Sequence, residues 1–236
     1  MQFKLHHFTE IESTNTKAIQ LAAEEAPCGT AVYADVQTAG RGRRGRVWRS
    51  LNGNLMFSVV LRRQSLLDNL YVLPYLIGLA IHDVIAECLP DEAVTLKWPN
   101  DVLVNRRKIS GVLIEKDGHT EAIIVGIGLN VVIAPEVPDY PSCALIDFIS
   151  QPPSRGQVLR DVLNSIAKFI KIFETRGESE IFELWNQYSY KLGQEITVKL
   201  HGKSATGIFE GVNNQGELVL ATPEGLRYFR SIDEFI

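Results

Sequence analysis

From Gly193 to the C-terminus the chain is a series of short apolar runs cut by turn residues, a pattern that limits what this end can fold into. Ile196–Leu200, Gly207–Val212, Leu218–Leu220 and Arg227–Arg230 read as strands. His201-Gly202, Asn213–Gly216 and Pro223-Glu224-Gly225 separate them, and Gly, Asn and Pro at such intervals mark turns. About 44 residues of short strands suit a small barrel. A core that thin needs support from a neighbour. The boundary falls near Leu192, dividing the chain into 1–192 and 193–236.

The longer part reads differently. Ser13-Thr14-Asn15 offers capping side chains ahead of Ala18, Ile19, Ala22 and Ala23, which recur at helical spacing. Leu70–Cys88, Gly156–Thr175 and Ser179–Tyr188 are the other helix candidates. Thr30–Asp35, Leu55–Leu61 and Ala122–Ile127 read as buried strands, and Val94, Leu96 and Trp98 alternate with Thr95 and Lys97. Val102–Val104 and Ile109–Glu115 flank the polar turn Asn105-Arg106-Arg107, which predicts a hairpin. Strands and helices mix without regular βαβ alternation, so the fold class is α+β with a mixed sheet.

Hydrophobic residues make up 45% and charged residues 22% of the 236 positions, enough for a core without staples. The net charge of -4 argues against a chain that coats nucleic acid or an anionic membrane. Cys28, Cys88 and Cys143 match no zinc spacing and read as reduced thiols. The N-terminus MQFKLHHFTE has no apolar signal core, and no run of about 18 apolar residues occurs, which points to the cytoplasm. His6, His7, His82, His119 and His201 have no legible partner and read as structural or surface residues.

The segment richest in chemistry is Gly40-Arg41-Gly42-Arg43-Arg44-Gly45-Arg46, four arginines and three glycines in seven residues. It matches GxGxxG literally. The dinucleotide fingerprint, however, needs a following helix and an acidic residue about 20 positions on, and Val47–Asn54 reads as loop. Glycines let a backbone approach a ligand, and arginines present planar charged forks to phosphate and carboxylate. Their mutual repulsion predicts a loop that is mobile when empty and drawn in by a bound polyphosphate or acyl phosphate. A solvated basic turn, or a single-stranded nucleic-acid contact with Trp48 as stacking platform, are the alternatives.

In Lys97-Trp98-Pro99-Asn100-Asp101, Pro99 ends a strand and leaves Asn100 and Asp101 at its mouth. A carboxylate there would help to hold Mg²⁺ with ATP, or the pair would form an Asx turn. Lys108, heading Lys108-Ile109-Ser110-Gly111, is either a solvated strand end or a bridge between a substrate carboxylate and the α-phosphate. Two glycines in Gly126-Ile127-Gly128-Leu129-Asn130 imply close approach by a ligand or another backbone, or tight sheet packing. No GxxxxGK[ST], GxSxG or HExxH occurs.

Taken in order, Ser13-Thr14-Asn15, Gly40–Arg46 with Trp48, Lys97–Asp101, Lys108–Gly111 and Gly126–Asn130 resemble the biotin–protein ligases, over roughly residues 5–150 by motif. The resemblance implies a catalytic domain similar to class II aminoacyl-tRNA synthetases and a C-terminal SH3-like barrel. It implies two steps. Biotin's carboxylate attacks the α-phosphate of Mg-ATP, giving biotinyl-5′-AMP and pyrophosphate. A lysine of a biotin carboxyl carrier domain, as in acetyl-CoA carboxylase, then takes the biotinyl group and releases AMP.

It further implies that Ser13, Thr14, Asn15, Gln37, Arg41, Gly42, Arg43, Lys108 and Gly111 line the biotin site. Arg41, Arg43, Arg44, Arg46, Trp48, Asn100, Asp101, Lys108 and Asn130 would serve ATP, with Trp48 near the adenine and Arg43 and Lys108 as the catalytic pair. Metal ligands are not legible. A lipoate–protein ligase-like acyltransferase and a non-catalytic biotin sensor stay open as alternatives. Some family members begin with a DNA-binding helix-turn-helix. Ser13 stands too near the start for one, so no DNA partner is expected, nor a membrane; homodimerisation is left open.

Overall fold

The computed structural model describes residues 1–116, 118, 120–136 and 140–235, with Glu234 described by its backbone alone; His119 lies outside the described residues. In chain order the first part comprises β1 (Lys4–Ile11), α1 (Thr14–Ala23), β2 (Thr30–Gln37), β3 (Leu55–Leu61), α2 (Gln64–Leu67), α3 (Leu73–Cys88), β4 (Val94–Lys97), β5 (Asp101–Val104), β6 (Arg107–Lys116), β7 (Ile123–Leu129), α4 (Arg155–Arg176) and α5 (Glu178–Gln187). The seven strands form one sheet in the order β1-β2-β3-β7-β6-β5-β4. Only β1 and β2 run parallel; the other neighbours are antiparallel, so the sheet is mixed, as the element order predicted.

Strand side chains alternate between faces, and here the two faces have different tasks. Phe57, Val59, Val125 and Ile127 enter the large core shared with α3 and α4. On the opposite face α1 lays Ala18 and Ala22 over Val32, Val60 and Ile124. The register sets Ser58 and Leu113 beside Gly126, and Met56 and Gly111 beside Gly128, so beyond α1 three glycines leave gaps among the side chains of this face. α3 is apolar nearly all round because it is covered all round. The stretch Leu70–Cys88 has a mean hydropathy of 1.4, long and apolar enough to cross a membrane, yet 67% of it is buried inside the fold.

The C-terminal part has β8 (Glu195–Leu200), β9 (Lys203–Val212), β10 (Leu218–Thr222), β11 (Gly225–Phe229) and β12 (Glu234–Phe235), an antiparallel sheet in the order β11-β10-β9-β8-β12. His201 and Gly202, at φ 50° and 75°, make the β8–β9 turn foreseen from the sequence. This sheet leans on the first part. Ile196, Val198, Phe209 and Leu218 share a core with Trp98, Phe182 and Trp185. The Asn186 amide both donates to Val212 O (3.0 Å) and accepts from Val212 N (2.9 Å).

Differences from expectation have local causes. β1, β12 and α2 were not foreseen. β1 is a half-exposed edge strand with two histidines, so it shows neither an apolar run nor clean alternation. The β5–β6 turn is two residues rather than three, because Asn105 and Arg106 both take positive φ and Arg107 already pairs in the strand. Two of the histidines, His7 and His82, do have side-chain partners. His7 stacks on Tyr33 and lies 3.1 Å from Asp35, and buried His82 has Nε2 3.2 Å from Val94 O. All three cysteines are free.

Candidate active site

The open sheet face is closed at one end by the start of α1. Ser13 caps the helix by accepting from Thr16 N, and Ser13, Thr14 and Asn15 are all nearly inaccessible. Thr14 N and Oγ1 both donate to Gln37 Oε1, at 2.8 and 3.1 Å. Ser58 Oγ lies 2.5 Å from Asn15 Oδ1 and 2.7 Å from Thr14 Oγ1. Asn15 Nδ2 donates to Glu115 Oε2 at 2.6 Å. The hydroxyls of Thr14 and Ser58 carry one proton each, yet take part in three contacts. One contact therefore lacks a proton, and the network can redirect a hydroxyl towards a polar ligand.

The glycines of the floor accommodate protein side chains. A Cβ on Gly126 would sit 2.1 Å from Asn15 Oδ1, and one on Gly128 would sit 2.2 Å from the Trp48 ring. A Cβ on Gly111 would lie 3.2 Å from both the Trp48 ring and the end of Lys108. Close approach, predicted for a ligand or backbone, is made here by Asn15 and Trp48.

The arginine–glycine segment is a tight hairpin. Arg41 bridges Val47, Gly42 N donates to Arg46 O (2.7 Å), and Arg44 and Gly45 form the tip at φ 56° and 73°. No helix follows, which disposes of the dinucleotide fingerprint. The four arginines fan apart. Arg41 donates to Thr16 Oγ1 (2.7 Å) and to Glu115 Oε2 (3.1 Å). Arg43 donates to Asn100 Oδ1 (3.0 Å), and Arg44 to Asp233 Oδ1 (2.5 Å). Arg46 is exposed. Glu115 and Asp233 thus offset the repulsion expected within the loop. Arg43 is the least comfortable cation: burial, and then the charge of Arg44, hold its pKa below the ordinary value.

Lys108 reaches the other end of the floor. Its Nζ lies 2.6 Å from Asp101 Oδ1 and 5.7 Å from the Trp48 ring centre. Tyr140 OH donates to Asp101 Oδ2 at 2.7 Å. Burial, reinforced by the Asp101 charge, raises the Tyr140 pKa, so this phenol remains a donor. Burial lowers the pKa of Lys97, against the pull of Asp101. Asn100 is fixed by Nδ2 donating to Val112 O (2.7 Å), which aims its carbonyl at Arg43. Between Arg43 and the C-terminal sheet lies a cleft of about 560 Å³, walled by Tyr75, Trp98, Pro99, Asn100, Gly216 and Arg230.

The structure therefore gathers two groups on one side of the sheet. Thr14, Asn15, Gln37 and Arg41 lie at one end; Trp48, Lys108, Gly111 and Asp101 lie at the other. Asn130, expected on the nucleotide side, is 1% exposed, with Nδ2 donating to Cys143 O and Oδ1 facing Asn54. Ser58, Glu115, Tyr140 and Asn54 join the site or its frame without having been singled out. Ser58 had a signal, as a lone hydroxyl inside an apolar strand, and so did Glu115, an acid following the apolar run of another. Tyr140 had none. Among the described residues no group of three or more His, Cys, Asp or Glu could hold a metal.

Both parts of the chain resemble known proteins. Residues 7–130 match the profile of the biotin/lipoate A/B protein ligase family, and residues 191–231 match the biotin protein ligase C terminal domain. The chain is 33% identical to the bifunctional ligase/repressor BirA of Bacillus subtilis, over 94% of this chain and 71% of that protein. It is 32% identical to the biotin–[acetyl-CoA-carboxylase] ligase of Paracoccus denitrificans, over 95% of this chain and 97% of that one. The structure of the biotin protein ligase from Aquifex aeolicus in complex with biotin and ATP superposes with a TM-score of 0.86 at 33% identity, covering 99% of this chain and 97% of that one. The fold, the two matched regions and these likenesses lead to one assignment: the chain belongs to the biotin/lipoate A/B protein ligase family.

Proposed function

We propose that the protein is an ATP-dependent biotin–protein ligase that acts on a biotin carboxyl carrier domain. The observation that carries this reading is a face with a neutral hydrogen-bonding end at Thr14, Asn15 and Gln37, a glycine floor, and Lys108 paired with Asp101 at the far end, next in sequence to Asn100, which receives Arg43. A small acid with a polar ring and an apolar tail would lie along it with its carboxylate at Lys108. Thr14, Asn15, Gln37 and Arg41 hold the ring. Lys108 leaves Asp101 to bridge carboxylate and α-phosphate, and Arg43, carried by Asn100, neutralises charge on the phosphates.

A carboxylate oxygen then bonds to the α-phosphorus as pyrophosphate departs. The carrier's amine later bonds to the acyl carbon as AMP departs. Positioning and fixed charge account for the rate, and the hairpin excludes water from the mixed anhydride. Magnesium would arrive with the nucleotide, held by the triphosphate and by Asp101 Oδ1, which the departure of Lys108 leaves free while Tyr140 keeps Oδ2. Asn130 contributes by tying Cys143 O to Asn54 behind the pocket. We read residues 1–192 as a catalytic domain akin to class II aminoacyl-tRNA synthetases and 193–236 as an SH3-like barrel, supported by the mixed sheet and the five-stranded antiparallel sheet.

The test is incubation with biotin, Mg-ATP and a biotin carboxyl carrier domain, read by mass spectrometry. One biotinyl group on a single carrier lysine is expected. An unmodified carrier, or one modified only when lipoate replaces biotin, would contradict the proposal.

A further inference from the structure

Tyr75, on α3, lies on the core side of the sheet, opposite the face that holds Thr14 and Gln37, yet it touches both halves of the molecule. Its ring is fixed edge-on by Phe182 and Trp185, with centroids 5.1 and 5.4 Å away. A phenylalanine would pack there equally well, so the hydroxyl has a separate role. It accepts from Trp98 Nε1 at 2.7 Å and donates to Gly216 O. Gly216 closes a stiff turn of the C-terminal sheet: Asn213 Oδ1 accepts from Gln215 N and Glu217 N, at 3.0 and 2.9 Å. The turn's backbone passes so near the phenol that a Cβ on Gly216 would lie 3.1 Å from Tyr75 Cε2, at φ +69°. Trp98 leads through Pro99 to Asn100, whose carbonyl receives Arg43.

We propose that Tyr75 is a positioning residue for adenylation: its hydroxyl sets the spacing between the Asn213–Gly216 turn and the Trp98–Asn100 segment, and so the place of Arg43. The proposal rests on the ligase reading for its kinetic consequence, but its geometric consequence is independent of it. Burial raises the Tyr75 pKa, so the group remains a neutral donor and acceptor across ordinary pH.

The experiment uses the full chain carrying Tyr75→Phe, which keeps the ring packing and removes both hydrogen bonds. Without nucleotide, amide exchange of Arg41–Arg46 is expected to rise while that of α1 stays as in the wild type. In biotin-dependent pyrophosphate exchange, KM for ATP is expected to rise about tenfold. Biotin affinity should stay within about twofold, since the Thr14–Gln37 end lies on the opposite face. Trp98→Phe removes the same bond from its other side, so the double variant should be no worse than the poorer single one. A Tyr75→Phe protein that only melts earlier, with wild-type ATP KM and wild-type hairpin exchange, overturns the proposal, as does full additivity with Trp98→Phe. If the wild type shows no pyrophosphate exchange, the ligase reading fails, and hairpin exchange alone still decides the positioning role.

Discussion

Arg44 Nη1 lies 2.5 Å from Asp233 Oδ1, so the tip of the arginine hairpin is tied to the C-terminal sheet rather than left in solvent. Asp233 also accepts from His201 N at 2.7 Å. That backbone bond, with Arg44 beside it, holds the Asp233 carboxyl below the usual carboxylate range, so the tie persists into mild acid. Asp233→Asn is predicted to shorten the lifetime of bound adenylate by about threefold at low salt. The difference should shrink as salt rises, because both partners are exposed. Stopped-flow dissociation at two ionic strengths measures it; equal lifetimes at low salt would show that the tie does not restrain the hairpin.

Arg43→Ala removes the charge-assisted bond to Asn100 while leaving the Thr14–Gln37 end untouched. Such a bond contributes roughly 1.5–3 kcal/mol, so escape of biotinyl-5′-AMP to solvent should rise about tenfold or more. Biotin affinity should change far less. Adenylate retained on a desalting column, compared between variant and wild type, gives the answer, and equal retention would contradict the role.

Gly126→Ala and Gly128→Ala test the floor. The added methyl meets Asn15 Oδ1 at 2.1 Å in the first and the Trp48 ring at 2.2 Å in the second. Overpacking of this kind costs about 1–3 kcal/mol, and it displaces groups that line the pocket. Biotin affinity by calorimetry should fall about tenfold in Gly126→Ala, whereas Gly128→Ala should act mainly on ATP through Trp48. Wild-type biotin binding by Gly126→Ala would mean that Asn15 does not face the ligand.

His82 gives a pH prediction. Burial lowers its pKa from the ordinary 6.5, against the opposing bond to Val94 O. A histidine with a depressed folded pKa takes up its proton more readily when unfolded. Its contribution to stability is therefore whole above about pH 6.5 and declines as pH falls towards the folded value. Melting temperature should drop between about pH 7.5 and pH 5.5, and the drop should be smaller in His82→Phe. Identical slopes for the two proteins would rule His82 out as the cause.

The sequence showed some of this more clearly than the rest. β3 and β7 are buried on both faces and read as unbroken apolar runs. α1 was legible because Ser13 caps it and its alanines repeat at helical spacing. β1 was not, since an edge strand half in solvent carries no such run. The arginine hairpin was legible as a site, but where its arginines end up depends on residues up to 189 positions away, Asp233 among them. Trp48 was expected near the adenine; its partners Gly128, Gly111 and Lys108 are neighbours only once β6 and β7 pair. Tyr75 went unremarked inside the helix candidate Leu70–Cys88, because nothing in a linear pattern separates a phenol that bonds from one that only packs.

The most direct test of the account is exchange of pyrophosphate into ATP, run with biotin, with lipoate and with neither acid, in the absence of any carrier. The geometry of Lys108, Arg43 and the Thr14–Gln37 end predicts exchange with biotin alone. Exchange with lipoate alone would move the protein to the other branch of its family. No exchange with either acid, despite measurable biotin binding, would contradict the proposed catalysis.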